Sequence, residues 1–222
     1  MCDTQSSYDP DNAADYFDED YYERGVETGK SLYTGYHWQP RRSYREALAI
    51  IDLLGVAEGD RLLDVGCAKG FLVRAMRDLE VDAEGCDISR YAIESTDTMW
   101  WFLWEATQKS WGSIVDGYFG FAACRDVFEH NTRDGCLALL KNIYRTCDKL
   151  MVCVPLADNG KYRIPEYHQD PSHILAYNED QWHKLFEAVG WRLRSYHYRW
   201  RGIKDNWYAK HHAGNMICVL TH

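Results

Sequence analysis

The run Leu62-Leu63-Asp64-Val65-Gly66-Cys67-Ala68-Lys69-Gly70-Phe71 constrains this chain more than any other stretch. An apolar segment ending in glycine reads as a buried strand, and the residues that follow are small. Leu72, Ala75, Met76 and Leu79 then recur at helical spacing. Gly66, Ala68 and Gly70 place almost no side chain between that turn and a ligand, so backbone N–H groups can come close to it. From residue 41 onward the alternation continues. A capping box at Ser43-Tyr44-Arg45-Glu46 opens a helix, and Arg61–Gly66 is a strand. Phe71–Leu79 is a helix, Ala83–Ile88 a strand, and Tyr91 to about Lys109 a helix. Phe119–Cys124 and Lys149–Pro155 are strands flanking the helix Asp134–Cys147. A second capping box, Asn178–Gln181, begins a helix that stops at Gly190. Strands Arg192–Trp200 and Asn215–Thr221 close the chain, with a hairpin expected between them. Strands alternating with helices predict an α/β fold, a doubly wound and mostly parallel sheet with helices on both faces.

At 222 residues the chain has room for one domain and an appendage. Residues 1–23 hold eight acids and no Lys or Arg, so residues 1–25 are expected to be an acidic solvated tail. Tyr16, Phe17, Tyr21 and Tyr22 make a lid the alternative, and 26–222 the main domain. Lys+Arg 25 against Asp+Glu 34 gives −9, which disfavours a protein that wraps nucleic acid by bulk charge. Eight cysteines form no C-x-x-C pair and most sit in apolar runs, as small hydrophobes do. No apolar run approaches the roughly 18 residues of a membrane span, and Met-Cys-Asp-Thr-Gln lacks the features of a signal peptide. The expected compartment is the cytoplasm.

Asp87 lies 21 residues after Gly66, at the end of the next strand, where a carboxylate can accept both hydroxyls of a ribose. The turn reads G-x-A-x-G rather than the G-x-G-x-x-G that seats a pyrophosphate. This tighter turn, with Asp64 two positions before it, resembles motif I of the class I S-adenosylmethionine-dependent methyltransferases. Phe119–His130 is similar to that family's fourth strand and its E-H continuation, and Leu150–Pro155 to its fifth strand. Asp170-Pro171-Ser172-His173 is similar to an acceptor-side loop of small-molecule members. The resemblance covers about residue 44 to 222. It implies a Rossmann-like seven-stranded sheet whose last strand is antiparallel, and S-adenosyl-L-methionine as cofactor. Asp64, Gly66, Cys67, Ala68, Gly70 and Phe71 would border the methionine portion, Asp87 the ribose, and Ile88 and Ser89 the adenine. Arg125 would point toward the cofactor carboxylate or the acceptor.

The chain departs from the pattern in three places. Ala68 replaces the middle glycine, and Gly120 stands where the fourth strand usually carries Asp. Residues 96–118 show no clear third strand. Asp116 is a poor adenine contact, and Met99–Trp104 reads as core packing.

Acceptor chemistry falls to Asp126, His130 and His173, with His173 as base or orienting group and His130 read more readily as a structural histidine at a helix start. Asp126, Glu129, His130 and His173 also resemble the metal site of the methyltransferases that modify the 2′-hydroxyl at small-RNA 3′ ends. Nothing in the sequence shows these side chains converging, so no metal is expected. Arg192–His212 holds six basic residues against Asp205, either a solvated face or a patch for an anionic acceptor. The expected activity is methyl transfer to a hydroxyl or amine of a small polar acceptor, a sugar or phosphorylated metabolite among the candidates. Nucleic acid and membrane are not expected as partners. An RNA or nucleotide methyltransferase, metal-assisted or not, is the first alternative, and a non-catalytic S-adenosylmethionine-binding protein the second.

Overall fold

A computed structural model describes residues 8–96, 103–105 and 119–222. Five parallel strands form its frame: β1 (Arg61–Val65), β2 (Asp82–Asp87), β3 (Leu103–Glu105), β4 (Phe119–Arg125) and β5 (Cys147–Pro155). A small ribbon follows, β6 (Ala157–Asp158) against β7 (Lys161–Tyr162). Two further strands complete the main sheet, β8 (Arg192–His197) and β9 (Asn215–Thr221). The order is β3-β2-β1-β4-β5-β9-β8, with only β9 antiparallel to its neighbours. The sheet is therefore the expected seven-stranded, doubly wound one with an antiparallel last strand. Strand order reverses between β1 and β4, which opens a crevice at their carboxyl ends.

Helices cover both faces. On one, α4 (Pro40–Leu54) and α5 (Phe71–Asp78) bury Ile50, Leu54 and Met76 against β1, β4 and β9. On the other, α7 (Arg133–Tyr144) and α8 (Glu179–Glu187) enclose Leu140, Trp182, Phe186 and Trp191. Trp182 and Trp191 are fully buried, and truncating either to alanine costs about 3–5 kcal/mol. The capping box at Asn178 and Gln181 forms as expected.

Four expectations need correction. Helix α4 starts at Pro40 rather than at a Ser43 cap, because proline fits the first turn without losing a bond. Ser43 and Glu46 are interior residues, and Glu46 turns to Arg125 instead. The long helix from Tyr91 is short: α6 (Arg90–Glu94) ends at Ser95, and Leu103–Glu105 pairs with β2 as a strand. Strand pairing overrides the helical pattern there. The rest of that segment, with Trp100, Trp101 and Asp116, lies outside the described residues. Strand β8 stops at His197, and a short helix, α9 (Asp205–Lys210), separates it from β9, so the two are antiparallel neighbours without a tight hairpin.

The last correction concerns the N-terminus. Of residues 1–25, expected as a solvated tail or else a lid, the described residues 8–25 are folded against the domain. Three short helices, α1 (Ala13–Tyr16), α2 (Glu19–Glu23) and α3 (Gly25–Thr28), carry Tyr16, Phe17, Tyr21 and Tyr22 into a buried aromatic cluster against Ala92. The Phe17 carbonyl accepts the Ser89 hydroxyl at 2.5 Å, the Tyr8 hydroxyl donates to the His130 carbonyl, and Lys69 pairs with Glu23. The acids face outward and the rings inward, which is how so acidic a segment folds at all.

Candidate active site

A cleft of about 480 Å³ lies at the carboxyl ends of β1, β2 and β4, roofed by aromatic residues of the N-terminal segment, among them Tyr21, Tyr22, Tyr33 and Tyr36. Gly66, Ala68, Phe71, Asp87, Ile88 and Arg125 line it. At Gly66 φ is +78°, and a Cβ would sit 2.1 Å from Val127 Cγ2, so only glycine lets the β1 turn pass the β4 loop. Ala68 takes a left-handed φ of +49°. Asp87 holds that turn in place: one carboxylate oxygen accepts from the Ala68 N–H and the other from the Ser89 N–H, each at 2.8 Å. Burial raises its carboxyl above the ordinary aspartate range, against the pull of those amides.

Other expected cofactor residues stand elsewhere. The Cys67 side chain packs into the core beside Gly85, where a Cβ would lie 2.7 Å from its own. Gly70 borders a smaller adjoining cavity, and its N–H is bonded to the Cys67 carbonyl. Ser89 is fully buried, capping α6 and bonded to Phe17, so its hydroxyl does not face the cleft. The N–H groups of Gly66, Cys67, Ala68 and Gly70 are all taken by protein acceptors. The turn offers shape to a ligand more than donors. Asp64 lies behind the cleft wall, 1% exposed, with Oδ2 lacking any partner. Burial pushes its carboxyl up to about 6, although Arg125 pulls the other way. Arg125 itself donates to Glu46 at 2.7 Å, a partner the sequence did not suggest, while its Nε is buried and unpaired.

At the far end of the cleft, Glu129, His130 and His173 converge, with one potential ligand atom from each within 4.8 Å of the others. The sequence had given no sign of this convergence. His173 donates from Nδ1 to the Tyr167 carbonyl at 2.9 Å, which leaves Nε2 as the ring's acceptor. Burial lowers the His173 pKa, and burial together with His173 pushes His130 down to about 4, so both rings are neutral at pH 7. Glu129 is 1% exposed with Oε2 unpartnered, and burial and the neighbouring Asp126 push its carboxyl well up. Asp126 takes a left-handed φ of +56° and pairs with Lys204. The remainder of the basic stretch from Arg192 to Arg201 does not line the cleft; only Lys204 and Trp207 reach it from that part of the chain.

The cleft lies at the switch point of a doubly wound sheet, where folds of this kind bind their ligands, with the glycine turn and the Asp87 carboxylate at one end and the histidines at the other. A methyltransferase domain model matches residues 38–196, and the chain belongs to that family. No curated protein sequence matches it. Among solved structures, magnesium protoporphyrin IX methyltransferase of Synechocystis PCC 6803 with bound SAH has a TM-score of 0.64 at 12% identity, over 97% of this chain and 100% of that one. A TehB-like SAM-dependent methyltransferase from Corynebacterium glutamicum scores 0.59 at 18% identity, over 80% and 87%. The small RNA methyltransferase HEN1 scores 0.60 at 14% identity, over 84% of this chain and 26% of that one. At these identities the likeness shows the fold. The protein is an S-adenosylmethionine-dependent methyltransferase. The residues present suit that cofactor: a cradle only glycine permits, a carboxylate at the end of β2 held by two backbone amides, and an orphaned buried acid beside the turn.

Proposed function

We propose that the protein methylates a hydroxyl or amine of a small polar acceptor, with His173 as the base or orienting group. When bound, S-adenosylmethionine supplies the electrophilic methyl group. Gly66, Ala68, Phe71, Asp87, Ile88 and Arg125 would hold it, with Asp64 behind the turn, and the remaining work belongs to the acceptor end. The observation that carries this reading is the fixed tautomer of His173: its Nδ1–H is committed to Tyr167, so Nε2 is the nitrogen left to take a proton. A neutral ring is ready to do so at pH 7. Aromatic residues roof the cleft, and its volume of about 480 Å³ has room for a nucleoside cofactor and a small acceptor rather than a long polymer. The net charge of −9 points the same way. Seven free, buried cysteines among the described residues support a reducing compartment such as the cytoplasm. No helix among the described residues is long and apolar enough to cross a membrane.

Replacing His173 by Ala is expected to lower turnover about 10²–10⁴-fold while leaving cofactor affinity nearly unchanged. Equal loss of both would make His173 structural. A second reading, a metal-assisted nucleotide or RNA methyltransferase, is favoured by the convergence of Glu129, His130 and His173. Activity lost to a chelator and restored by Mg²⁺ or Mn²⁺ would select it. Methylation of long RNA with steep salt dependence would do the same for its substrate.

A further inference from the structure

The two histidines at the acceptor end are held by different parts of the chain. His173 is fixed by a carbonyl on its own loop, His130 by a chain of side chains that begins in the N-terminal segment. The Ser172 hydroxyl has one proton, and Asp170 Oδ1, 2.5 Å away, can only accept it. The Asp170 oxygen also takes the Ser172 N–H at 2.9 Å. Ser172 Oγ is therefore an acceptor toward His130 Nδ1 at 2.8 Å, and that nitrogen must carry the proton. The second Asp170 oxygen accepts the Tyr21 hydroxyl at 3.1 Å. Tyr21, Asp170 and Ser172 are all buried, so each bond forms out of competition with water. The same segment grips the His130 backbone and ring: the Tyr8 hydroxyl donates to its carbonyl at 2.5 Å, and the Phe17 ring meets its imidazole edge-on at 5.4 Å.

We propose that Tyr21, Asp170 and Ser172 are positioning residues that hold His130 as its Nδ1–H tautomer with Nε2 as the open nitrogen, so that the N-terminal segment completes the acceptor side of the cleft. The inference rests on the reading that this end of the cleft receives the acceptor. It goes further in assigning a role to a segment outside the matched family region, 38–196, and to a serine that no cleft wall reveals. A lone pair at Nε2 beside that of His173, the two rings 4.7 Å apart, is what the chain of bonds secures. Among the described residues, the Tyr21 hydroxyl is the hydrogen-bond donor to Asp170 Oδ2. His173 Nε2 stands at 4.0 Å, too far for a normal hydrogen bond.

The test uses the full-length protein with ¹⁵N-labelled histidine, whose two-bond proton–nitrogen spectra report which ring nitrogen is protonated. The parent protein should show His130 as a single Nδ1–H tautomer. Ser172→Ala should give a mixture of both tautomers, and Ser172→Thr, which keeps the hydroxyl, should restore the single form. Tyr21→Phe keeps the ring packing and removes only the bond to Asp170. It should raise the share of the minor tautomer about fivefold, the effect of one ordinary hydrogen bond. Calorimetry with S-adenosylhomocysteine on Ser172→Ala should find affinity unchanged. A parent spectrum with Nε2 protonated, or a Ser172→Ala spectrum identical to the parent, overturns the proposal. Loss of S-adenosylhomocysteine binding in His130→Ala would instead place His130 on the cofactor side and overturn the reading beneath it, whichever tautomer the spectra show.

Discussion

Lys204 Nζ pairs with Asp126 Oδ1, and both residues hold left-handed backbone, at φ +50° and +56°. Neither is a glycine, so two strained positions from the loops after β4 and β8 are pinned by one ion pair. Lys204 also donates to the Tyr167 hydroxyl at 2.9 Å. Burial alone would raise the Asp126 carboxyl, but the charge and hydrogen bond of Lys204 outweigh it and hold it below the ordinary range. Asp126 is thus a weaker base than an ordinary aspartate. Lys204→Met leaves that carboxylate unpaired. Because 36% of the Asp126 side chain still reaches solvent, the expected cost at pH 7 is about 1–3 kcal/mol rather than that of a fully buried pair. A depressed acid stabilises the fold above its unfolded pKa of about 4 and loses that contribution as pH falls through its lower folded value. Urea unfolding should therefore show the parent–variant gap closing below about pH 4, and Asp126→Asn together with Lys204→Met recovering most of the loss.

Asp64 works in the opposite direction. With its carboxyl raised to about 6, ionisation is harder in the fold than in the unfolded chain. The penalty is absent below about pH 4 and complete above about pH 6, reaching about 3 kcal/mol by linkage. Asp64→Asn should accordingly gain about 2–3 kcal/mol at pH 8 and almost nothing near pH 4. Equal gains at both pH values would show that its charge is not the source.

Asp87→Ala removes the acceptor for both the Ala68 and Ser89 amides and for a ribose. Charge-assisted hydrogen bonds are worth about 1.5–3 kcal/mol, so S-adenosylmethionine affinity should fall roughly 10- to 150-fold by calorimetry. Unchanged affinity in a folded variant would remove Asp87 from the cofactor site.

Gly66→Ala places a Cβ on Val127 and a side chain at positive φ. Overpacking and left-handed strain together should cost about 2–5 kcal/mol. Adding Val127→Ala should return the overpacking share and leave the strain of about 1–2 kcal/mol. Denaturant melts of the two variants separate the shares.

The glycine turn and the acid at the end of β2 were legible because they are local. Gly66, Ala68 and Asp87 lie within one strand-turn-helix-strand unit, and their residue types state their backbone geometry. The cluster at the far end of the cleft depends on contacts that no spacing encodes. Glu129 and His130 meet His173 only because β4 and β5 are neighbours and the loop after β5 folds back, the Ile174 N–H bonding the Glu129 carbonyl at 2.9 Å. Lys204 reaches Asp126 across 78 residues. In the N-terminal segment, charge pointed to solvent while the rings at 16, 17, 21 and 22 pointed inward, and burial of the rings decided the outcome. Ser89 and Cys67 were misplaced because sequence locates a residue on a loop without saying which way its side chain turns.

The order of the sheet leaves two outer strands whose backbones could recruit a further strand from another molecule. Strand β3 is described over Leu103–Glu105. Strand β8 carries Arg192 and Arg194, both exposed, along the edge farthest from the cleft. A second copy approaching edge to edge would bring the same arginines against them. The basic stretch, readable in sequence as a solvated face or as a patch for an anion, thus sets like charge against like along this edge of the sheet.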